Sequence, residues 1–150
     1  MKDWQNQAHV KWECKYHVVI VPKYRRKVMY GKLRHQIGEV FRRLCRQEAI
    51  ELLQGRAMAD HVHMLLSVLP RYSIAMTVGY LKGKSAIRIH CDYSKVRGTL
   101  FGRSFWSRGY WVSTVGFDEE SIRRYIAEQE EQEKRHEQGR LMFDQRNGPF

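Results

Sequence analysis

The sequence predicts an α+β domain of the ferredoxin-like class, the split β-α-β arrangement that RNA-recognition modules also use. Three observations lead to this class. Four segments are rich in aromatic and β-branched residues, two segments between them have helical periodicity, and a charged helical segment follows. The order β-α-β-β-α-β predicts an antiparallel sheet with helices on one face, plus a C-terminal helix. A chain of 150 residues is one domain by size, so we expect a single domain over 1–150.

The first third of the chain supplies one strand and one helix. Residues 1–8 form a polar N-terminal arm in this interpretation. A strand then runs from His9 to Val21, and Pro22 ends it because proline cannot donate to a sheet. Apolar residues recur at helical spacing from about Gly31 to Glu48, which predicts the first helix.

The middle of the chain predicts two strands and a second helix. The strands lie at about Ile50–Ala59 and His61–Leu69, with Asp60 near the turn between them. Ser73 is a suitable N-cap for a helix that continues to about His90.

The last third begins with a loop over 92–103 and a strand over 105–115 that Gly109 interrupts. A charged helix over 118–138 follows, with Asp118 as its N-cap and Gly139 at its end. Residues 139–150 are expected to form a short tail.

The charge of the chain indicates a polyanionic partner. The formal net charge is +11, and it is unevenly distributed. Residues 1–117 carry 21 Lys and Arg against 7 Asp and Glu, whereas residues 118–138 carry 4 against 8. A basic body with one acidic helix favours binding to nucleic acid, although a basic surface can also serve solubility alone.

The cysteines and the hydropathy pattern indicate a protein of the reducing cytosol. Cys14, Cys45 and Cys91 are an odd number at wide spacing, which argues against a disulfide framework or a cysteine-rich zinc site. The N-terminal residues lack the apolar core of a signal peptide, and no stretch approaches 18 apolar residues. We therefore expect a cytoplasmic protein, nucleoid-associated when bound to DNA, with no membrane partner.

The sequence His61-Val62-His63 is a candidate metal site. Side chains alternate across a strand, so the two imidazoles point to one face, while Val62, Met64, Leu66 and Val68 point to the other, which is predicted to be core. Two histidines on one face can converge on a divalent ion, which would act as a Lewis acid for phosphate oxygens. The alternative is a pair of surface histidines on a half-buried strand.

Tyr125 and Gln129 are a candidate nucleophile and a candidate third ligand. They lie four residues apart, so they share one face of the predicted last helix. Two imidazoles and an amide oxygen suit Mg²⁺ or Mn²⁺ as the working ion, although affinity alone would favour Zn²⁺ or Cu²⁺. A phenol with a pKa near 10 is a weak nucleophile at neutral pH, so it needs an electrophile activated by metal or a neighbouring base. The alternative is a core tyrosine beside a solvated glutamine.

Basic residues near aromatic rings are candidate DNA contacts. Such clusters neutralise phosphates and stack bases, although each can also be a solvated basic surface. The candidates are Lys23, Tyr24, Arg25, Arg26 and Lys27 in the loop after the first strand, Lys82, Lys84 and Arg88 on the second helix, and Arg103 and Arg108, which flank Phe105 and Trp106.

Two further patterns resemble nucleotide-binding or RNA-binding motifs. Residues 79–85 resemble a P-loop, but they have three residues between the glycines where the motif has four, and they lie in a predicted helix. We therefore expect no nucleotide cofactor. Residues 108–112 resemble the start of an RNA-recognition motif, but Trp111 stands where Gly or Ala is expected. Trp111, like Trp106, is more typical of a core residue than of a platform for base stacking.

Taken together, these residues resemble the single-tyrosine HUH transposases, in particular the small transposases of the insertion-sequence 200/605 group. The resemblance extends from about residue 12 to about residue 132, in the family's order. The matching segments are Tyr16–Val19, Lys23–Arg26, Asp60–Leu66, Leu81–Ala86, Phe105–Trp111, and Ile122–Ile126 with Gln129.

The resemblance implies an activity and a set of site residues. His61, His63 and Gln129 would bind Mg²⁺ or Mn²⁺, and Tyr125, on the C-terminal helix, would attack a phosphodiester of single-stranded DNA. The products would be a 5′-phosphotyrosine and a free 3′-OH, and a second 3′-OH would reverse the reaction to join new partners. The resemblance also implies DNA with hairpin ends as the partner, and a homodimer in which each tyrosine helix completes the other subunit's active site.

Three other interpretations of the sequence stay open. A non-catalytic single-strand nucleic-acid-binding module of the same fold would bind without metal and form no covalent product. A domesticated relative would process host repeat hairpins without moving an element. A replication initiator or relaxase of the HUH type is a third alternative, although such proteins usually have longer chains.

Overall fold

The computed structural model describes residues 5–7, 10–92, 105–116 and 119–146. Its centre is a four-stranded antiparallel sheet with the strand order β4-β5-β3-β6. The elements in chain order are β1 (Gln5–Gln7), β2 (Val10–Trp12), β3 (Lys15–Ile20), α1 (Gly31–Gln47), β4 (Glu51–Ala57), β5 (Val62–Ser67), α2 (Ile74–Asp92), β6 (Trp111–Val115) and α3 (Glu119–Arg146). From β3 to β6 this is the predicted ferredoxin-like order, so the fold class is confirmed.

The first strand is divided differently from the prediction. One strand was expected over 9–21, but β2 and β3 are separate, and β2 pairs with β1 in a small hairpin outside the main sheet. β1 lies within the segment expected to be a polar arm. A polar sequence can still form a strand because the backbone donors and acceptors pair whatever the side chains are.

The main core lies between one face of the sheet and the helices α1 and α2. It contains Val18 and Ile20 of β3, together with the face of β5 that the alternation predicted to be core. That face consists of Val62, Met64 and Leu66, with Val68 after the strand, and all four are buried. Ser73 caps α2 as expected, because its Oγ accepts a hydrogen bond of 3.1 Å from the backbone N–H of Met76.

Helix α3 covers the opposite face of the sheet. Ile126 is fully buried against Leu65 and Val115, with Ile122 and Leu53 packed around them. All six residues of β5 are buried because the strand has a helix layer on each side. This second layer determines which strand residues face α3, and it positions the candidate site described below.

Helix α3 is longer than predicted. Gly139 was expected to end it, but the helix runs through Gly139 to Arg146. A glycine inside a helix costs about 1 kcal/mol relative to alanine, and its neighbours are mainly good helix formers, so one glycine does not end the helix. The expected cap Asp118 lies outside the described residues.

The fourth strand is shorter than the expected span of 105–115, since β6 begins only at Trp111. Residues before it run beside the end of β3 with separate contacts: Phe105 C=O accepts a hydrogen bond from the Lys23 N–H, and the Ser107 N–H donates to the Val21 C=O, both at 2.9 Å. In the described part of the chain, no helix has both the length and the hydropathy needed to cross a membrane.

Candidate active site

Three histidines lie on the sheet face that α3 covers. His63 of β5 is paired with Val19, and His17 of β3 is paired with Leu65, so the two histidines are diagonal neighbours across antiparallel strands. His61 immediately precedes β5, and its ring centroid lies 4.6 Å from that of His63, with the two rings nearly perpendicular. The expected convergence of His61 and His63 is therefore present.

The ring of His61 is held by an acidic neighbour. Its Nδ1 lies 2.6 Å from the Asp60 Oδ1, and Arg25 Nε donates to the Asp60 Oδ2 at 3.2 Å. Burial alone would raise the pKa of Asp60, but the contacts with His61 and Arg25 outweigh it and lower that pKa. An ionised Asp60 can accept a hydrogen bond from the His61 Nδ1–H, so that Nε2 is the nitrogen left to face Gln129.

Tyr125 and Gln129 reach the histidines because α3 is fixed to the sheet at two points. Near its start, the Lys15 ammonium donates to the Glu119 carboxylate at 2.6 Å. Four turns further, Glu133 accepts hydrogen bonds from the Ala59 N–H at 3.3 Å and from Arg34 at 3.5 Å. Between these two points, Tyr125 and Gln129 face the cleft.

Gln129 connects the candidate nucleophile to the candidate metal ligands. Its Nε2 donates a 2.7 Å hydrogen bond to the hydroxyl oxygen of Tyr125, which is about half exposed. Its Oε1 lies 3.3 Å from the His61 Nε2. The Tyr125 ring centroid is 6.0 Å from that of His63. One chain therefore brings Tyr125, Gln129, His61 and His63 into a single cluster.

The donor atoms of this cluster fit a divalent ion. Two ligands at right angles, each about 2.1 Å from an ion, lie about 3 Å apart, close to the separation of the His61 and Gln129 atoms. His63 Nε2 is buried and makes no hydrogen bond within the part of the chain that the structure describes. Among those same residues, no group of three or more His, Cys, Asp or Glu is arranged to hold a metal. A metal site here therefore depends on the Gln129 amide oxygen as its third ligand.

The histidines at the centre of the site are held neutral. Burial, with smaller contributions from the charges of His61 and His17, lowers the pKa of His63 from 6.5 to about 4. Burial also lowers the pKa of His17. Neutral imidazole is the form that binds a metal, so the packing of α3 over these rings favours the binding-competent form.

The lowered pKa of His63 predicts that the fold is less stable in mild acid. The unfolded chain binds a proton on this ring below about pH 6.5, but the folded chain binds it only below about pH 4. The free energy of unfolding is therefore not reduced by this ring above about pH 6.5, and it falls as the pH decreases towards 4. We expect the free energy of unfolding, measured in urea, to fall by about 2 kcal/mol between pH 7 and pH 5.

Two variants test the origin of this pH dependence. His63→Leu removes the titrating ring and should give a shallower dependence of unfolding free energy on pH. His35→Leu, at an exposed position of α1, should keep the wild-type dependence. An unchanged dependence in His63→Leu would show that other groups cause the acid sensitivity.

The loop after β3 carries five of the predicted DNA contacts, and one of them, Arg25, lines the cleft. Tyr24 has 70% of its surface exposed, and both Lys23 and Arg26 lie within 6 Å of its ring centroid. Tyr24 and Arg25 have φ of 62° and 48°, which is an uncommon conformation for residues other than glycine. Arg25 lines the cleft beside His61 and Tyr125, and Lys27 is exposed.

The other predicted DNA contacts differ in their exposure and in their hydrogen bonds. Lys84, Arg88 and Arg108 are exposed. Arg103 lies outside the described residues. Lys82 donates instead to three backbone carbonyls, those of Ser107, Arg108 and Gly109, at 2.5, 2.9 and 3.2 Å. This geometry favours a role for Lys82 in holding the loop that borders the cleft, since its three donors are already engaged.

The sequence analysis missed His17 and misjudged Trp111. His17 is buried beside His63 at an Nε2–Nδ1 distance of 3.0 Å. Trp111 was expected to be a core residue, but 53% of its surface is exposed at the edge of the cleft, where its ring contacts that of His17. The sequence did contain one signal for His17, because Lys15, His17 and Val19 alternate with the core residues of β3.

Solved structures of similar fold define the class of protein. A crystal structure of a putative transposase from Deinococcus radiodurans R1 has a TM-score of 0.69 and 29% identity to this chain, over 86% of this chain and 98% of that one. A REP-associated tyrosine transposase bound to a REP hairpin shares the fold, with a TM-score of 0.57 and 12% identity over 84% of this chain and 70% of that one. The fold is thus one that transposases have.

Sequence comparisons identify the family. The family described as "Transposase IS200 like" matches residues 10–129. The transposase of insertion sequence element IS200 from Salmonella typhimurium is 41% identical over 138 residues, covering 92% of this chain and 91% of that protein. The ISDra2 transposase TnpA of Deinococcus radiodurans is 32% identical over 123 residues, covering 81% and 88%. The chain therefore belongs to the IS200-like transposase family, whose members are DNA-cleaving and strand-transfer enzymes.

Proposed function

We propose that this transposase cleaves and rejoins single-stranded DNA through a 5′-phosphotyrosine on Tyr125, with the help of a divalent metal ion. The observation that carries the proposal is the position of Gln129, which contacts the Tyr125 hydroxyl with its amide nitrogen and faces His61 with its amide oxygen. A nucleophile and three candidate metal ligands are thus neighbours, as a reaction at one phosphorus atom requires.

The proposed cleavage is a substitution at phosphorus. The Tyr125 oxygen forms a bond to the phosphorus, the bond from phosphorus to the 3′ oxygen of the preceding nucleotide breaks, and the phenol proton ends on that oxygen. The hydrogen bond from Gln129 stabilises negative charge on the phenolic oxygen as the proton leaves. The products are a 5′-phosphotyrosine and a free 3′-OH, and attack by another 3′-OH reverses the step without ATP.

We propose that His61 Nε2, His63 Nε2 and Gln129 Oε1 hold Mg²⁺ or Mn²⁺. The ion would act as a Lewis acid on the phosphate oxygens. A phenol is a weak nucleophile at neutral pH, so it needs a phosphate that is activated in this way. Asp60 orients His61 for this role through its 2.6 Å contact with Nδ1. No nucleotide cofactor enters the proposal.

Single-stranded DNA with hairpin ends is the proposed substrate. A cleft of about 490 Å³ opens beside the site, lined by both histidines, Tyr125 and Arg25. Tyr24 is exposed, with the cationic groups of Lys23 and Arg26 near its ring, and is suited to stack an unpaired base. The net charge of +11 would attract the phosphate backbone, so binding should weaken as salt increases.

The direct test uses labelled single-stranded hairpin oligonucleotides taken from the DNA that flanks the gene. The protein is incubated with them in Mg²⁺ or Mn²⁺, and the mixture is separated on a denaturing gel. A band of label attached to protein is expected. Tight binding without a covalent species, across several hairpins and both metals, would instead favour the non-catalytic binding module.

We further propose a homodimer that pairs through β6. Among the described residues, this strand is one edge of the sheet and pairs with β3, and its Trp111 and Val112 are exposed. An exposed edge strand with apolar side chains favours pairing with a second copy. The proposal includes active sites shared between subunits, whereas in the single chain Tyr125 lies beside the chain's own histidines.

A mixing experiment distinguishes shared sites from sites within one subunit. Each of Tyr125→Phe and His61→Ala should be inactive alone. If sites are shared, a mixed dimer has one site with an intact tyrosine and intact ligands, so cleavage should return, to at most about half of the wild-type rate per dimer. Labelled subunits must first be shown to exchange. Exchange without any recovery of cleavage would show that each site is built within one subunit.

A further inference from the structure

His17 contacts one of the proposed metal ligands at a buried position. Its Nε2 lies 3.0 Å from the Nδ1 of His63, and the two rings are stacked with centroids 5.2 Å apart. Both side chains are 5% exposed. The antiparallel register of β3 and β5 fixes this contact, because it makes the two residues diagonal neighbours on the face that α3 covers.

The contact determines which nitrogen of His63 is available. A neutral imidazole carries one proton, and the nitrogen that binds a metal cannot be the one that carries it. Because its Nδ1 faces His17, His63 can carry its proton on Nδ1 and donate a hydrogen bond to His17 Nε2. Its own Nε2 then carries no proton. That Nε2 is the buried atom with no hydrogen bond within the described residues.

The arrangement parallels the one at His61. There Asp60 accepts from Nδ1, so that Nε2 faces Gln129. Metal-bound histidines are usually oriented by an acceptor on their second nitrogen, and the loss of that acceptor typically weakens metal binding about 10- to 100-fold. At His63, the acceptor is His17, which has the position that Asp60 has at His61.

We propose that His17 is a positioning residue for the metal site. It accepts a hydrogen bond from the Nδ1–H of His63 and so directs the Nε2 of His63 to the ion. This inference rests on the metal site proposed above. His17 itself does not bind the ion, since its Nε2 is used in the contact with His63.

The test compares Mn²⁺ affinity among variants of His17, measured by electron paramagnetic resonance or calorimetry on the protein without DNA. Glutamine places a polar atom about where Nε2 of histidine lies, whereas asparagine places one about where Nδ1 lies. We expect His17→Asn and His17→Leu to bind Mn²⁺ about 10- to 100-fold more weakly than the wild type, and His17→Gln to keep most of the affinity.

A matched control separates positioning from general loss of stability. Val18→Ala removes a fully buried side chain of the same strand on the opposite face, so it should lower the melting temperature and leave Mn²⁺ affinity unchanged. If His17→Leu does not fold, the two polar variants still give the comparison.

The outcomes are distinguishable. Wild-type affinity in both His17→Asn and His17→Leu would overturn the role of His17 while the metal site stands. Equal losses in the Gln, Asn and Leu variants would overturn the hydrogen bond as the cause. A wild-type protein that binds neither Mn²⁺ nor Mg²⁺ would overturn the proposed metal site, and the inference with it.

Discussion

A Tyr125→Phe variant is expected to form no covalent adduct with DNA and to bind the same hairpin with nearly unchanged affinity. The substitution removes one oxygen and keeps the ring that lies near His17 and His63. Without that oxygen no phosphotyrosine can form, so cleavage should fall by more than about a thousandfold, as when other enzymes lose their nucleophile. The measurement pairs a denaturing gel for the adduct with a binding titration on the same oligonucleotide.

Tyr110→Phe is the matched control for this experiment. Tyr110 lines the same cleft and is also partly exposed, but among the described residues no hydrogen bond joins it to Gln129. It should retain the adduct. If Tyr125→Phe still forms the adduct, Tyr125 is not the nucleophile. Loss of the adduct in Tyr110→Phe alone would move the assignment to that residue.

His61→Ala is expected to reduce cleavage to the level reached when the wild-type protein is treated with EDTA. The variant removes one of three proposed ligands and leaves Asp60 and Gln129 without their partner. A Lewis acid contributes several kcal/mol to a phosphoryl-transfer transition state, so we expect a loss of about a hundredfold or more. The rate of adduct formation as a function of Mg²⁺ and Mn²⁺ concentration is the measurement.

An exposed histidine provides the control for the metal experiment. His35 lies on the surface of α1, and His35→Ala should keep the wild-type rate and metal dependence. Adding EDTA to His61→Ala should cause no further decrease. Full activity of His61→Ala, or of the wild type after chelation, would contradict the metal site.

Periodicity and local signals were sufficient for most of the fold. The alternation in β5 predicted its core face, and Ser73 predicted the start of α2, because both depend on neighbouring residues alone. The errors have two causes, since the good helix formers around one glycine outweigh it, and pairing with β3 sets where β6 begins. Gly139 did not end α3, and the expected strand at 105–115 is only regular from Trp111.

The site was predictable in its parts but not in its connections. Spacing placed His61 with His63, and Tyr125 with Gln129, each pair on one face of its own element. No spacing could show that Gln129 contacts both Tyr125 and His61, because the latter contact joins residues 68 positions apart. The same limit applies to Lys82, because spacing could not show that its ammonium contacts the loop before β6. The prediction that Lys82 binds DNA stays a prediction.

The sequence by itself determined the ferredoxin-like class, the basic character of the body and the four residues of the candidate site. These follow from alternation, composition and short-range spacing, which are properties of neighbouring residues. Only the tertiary structure decided that His17 lies against His63, that α3 covers this face of the sheet and that Trp111 borders the cleft. Those facts depend on strand register and helix packing, which bring together side chains that are distant along the chain.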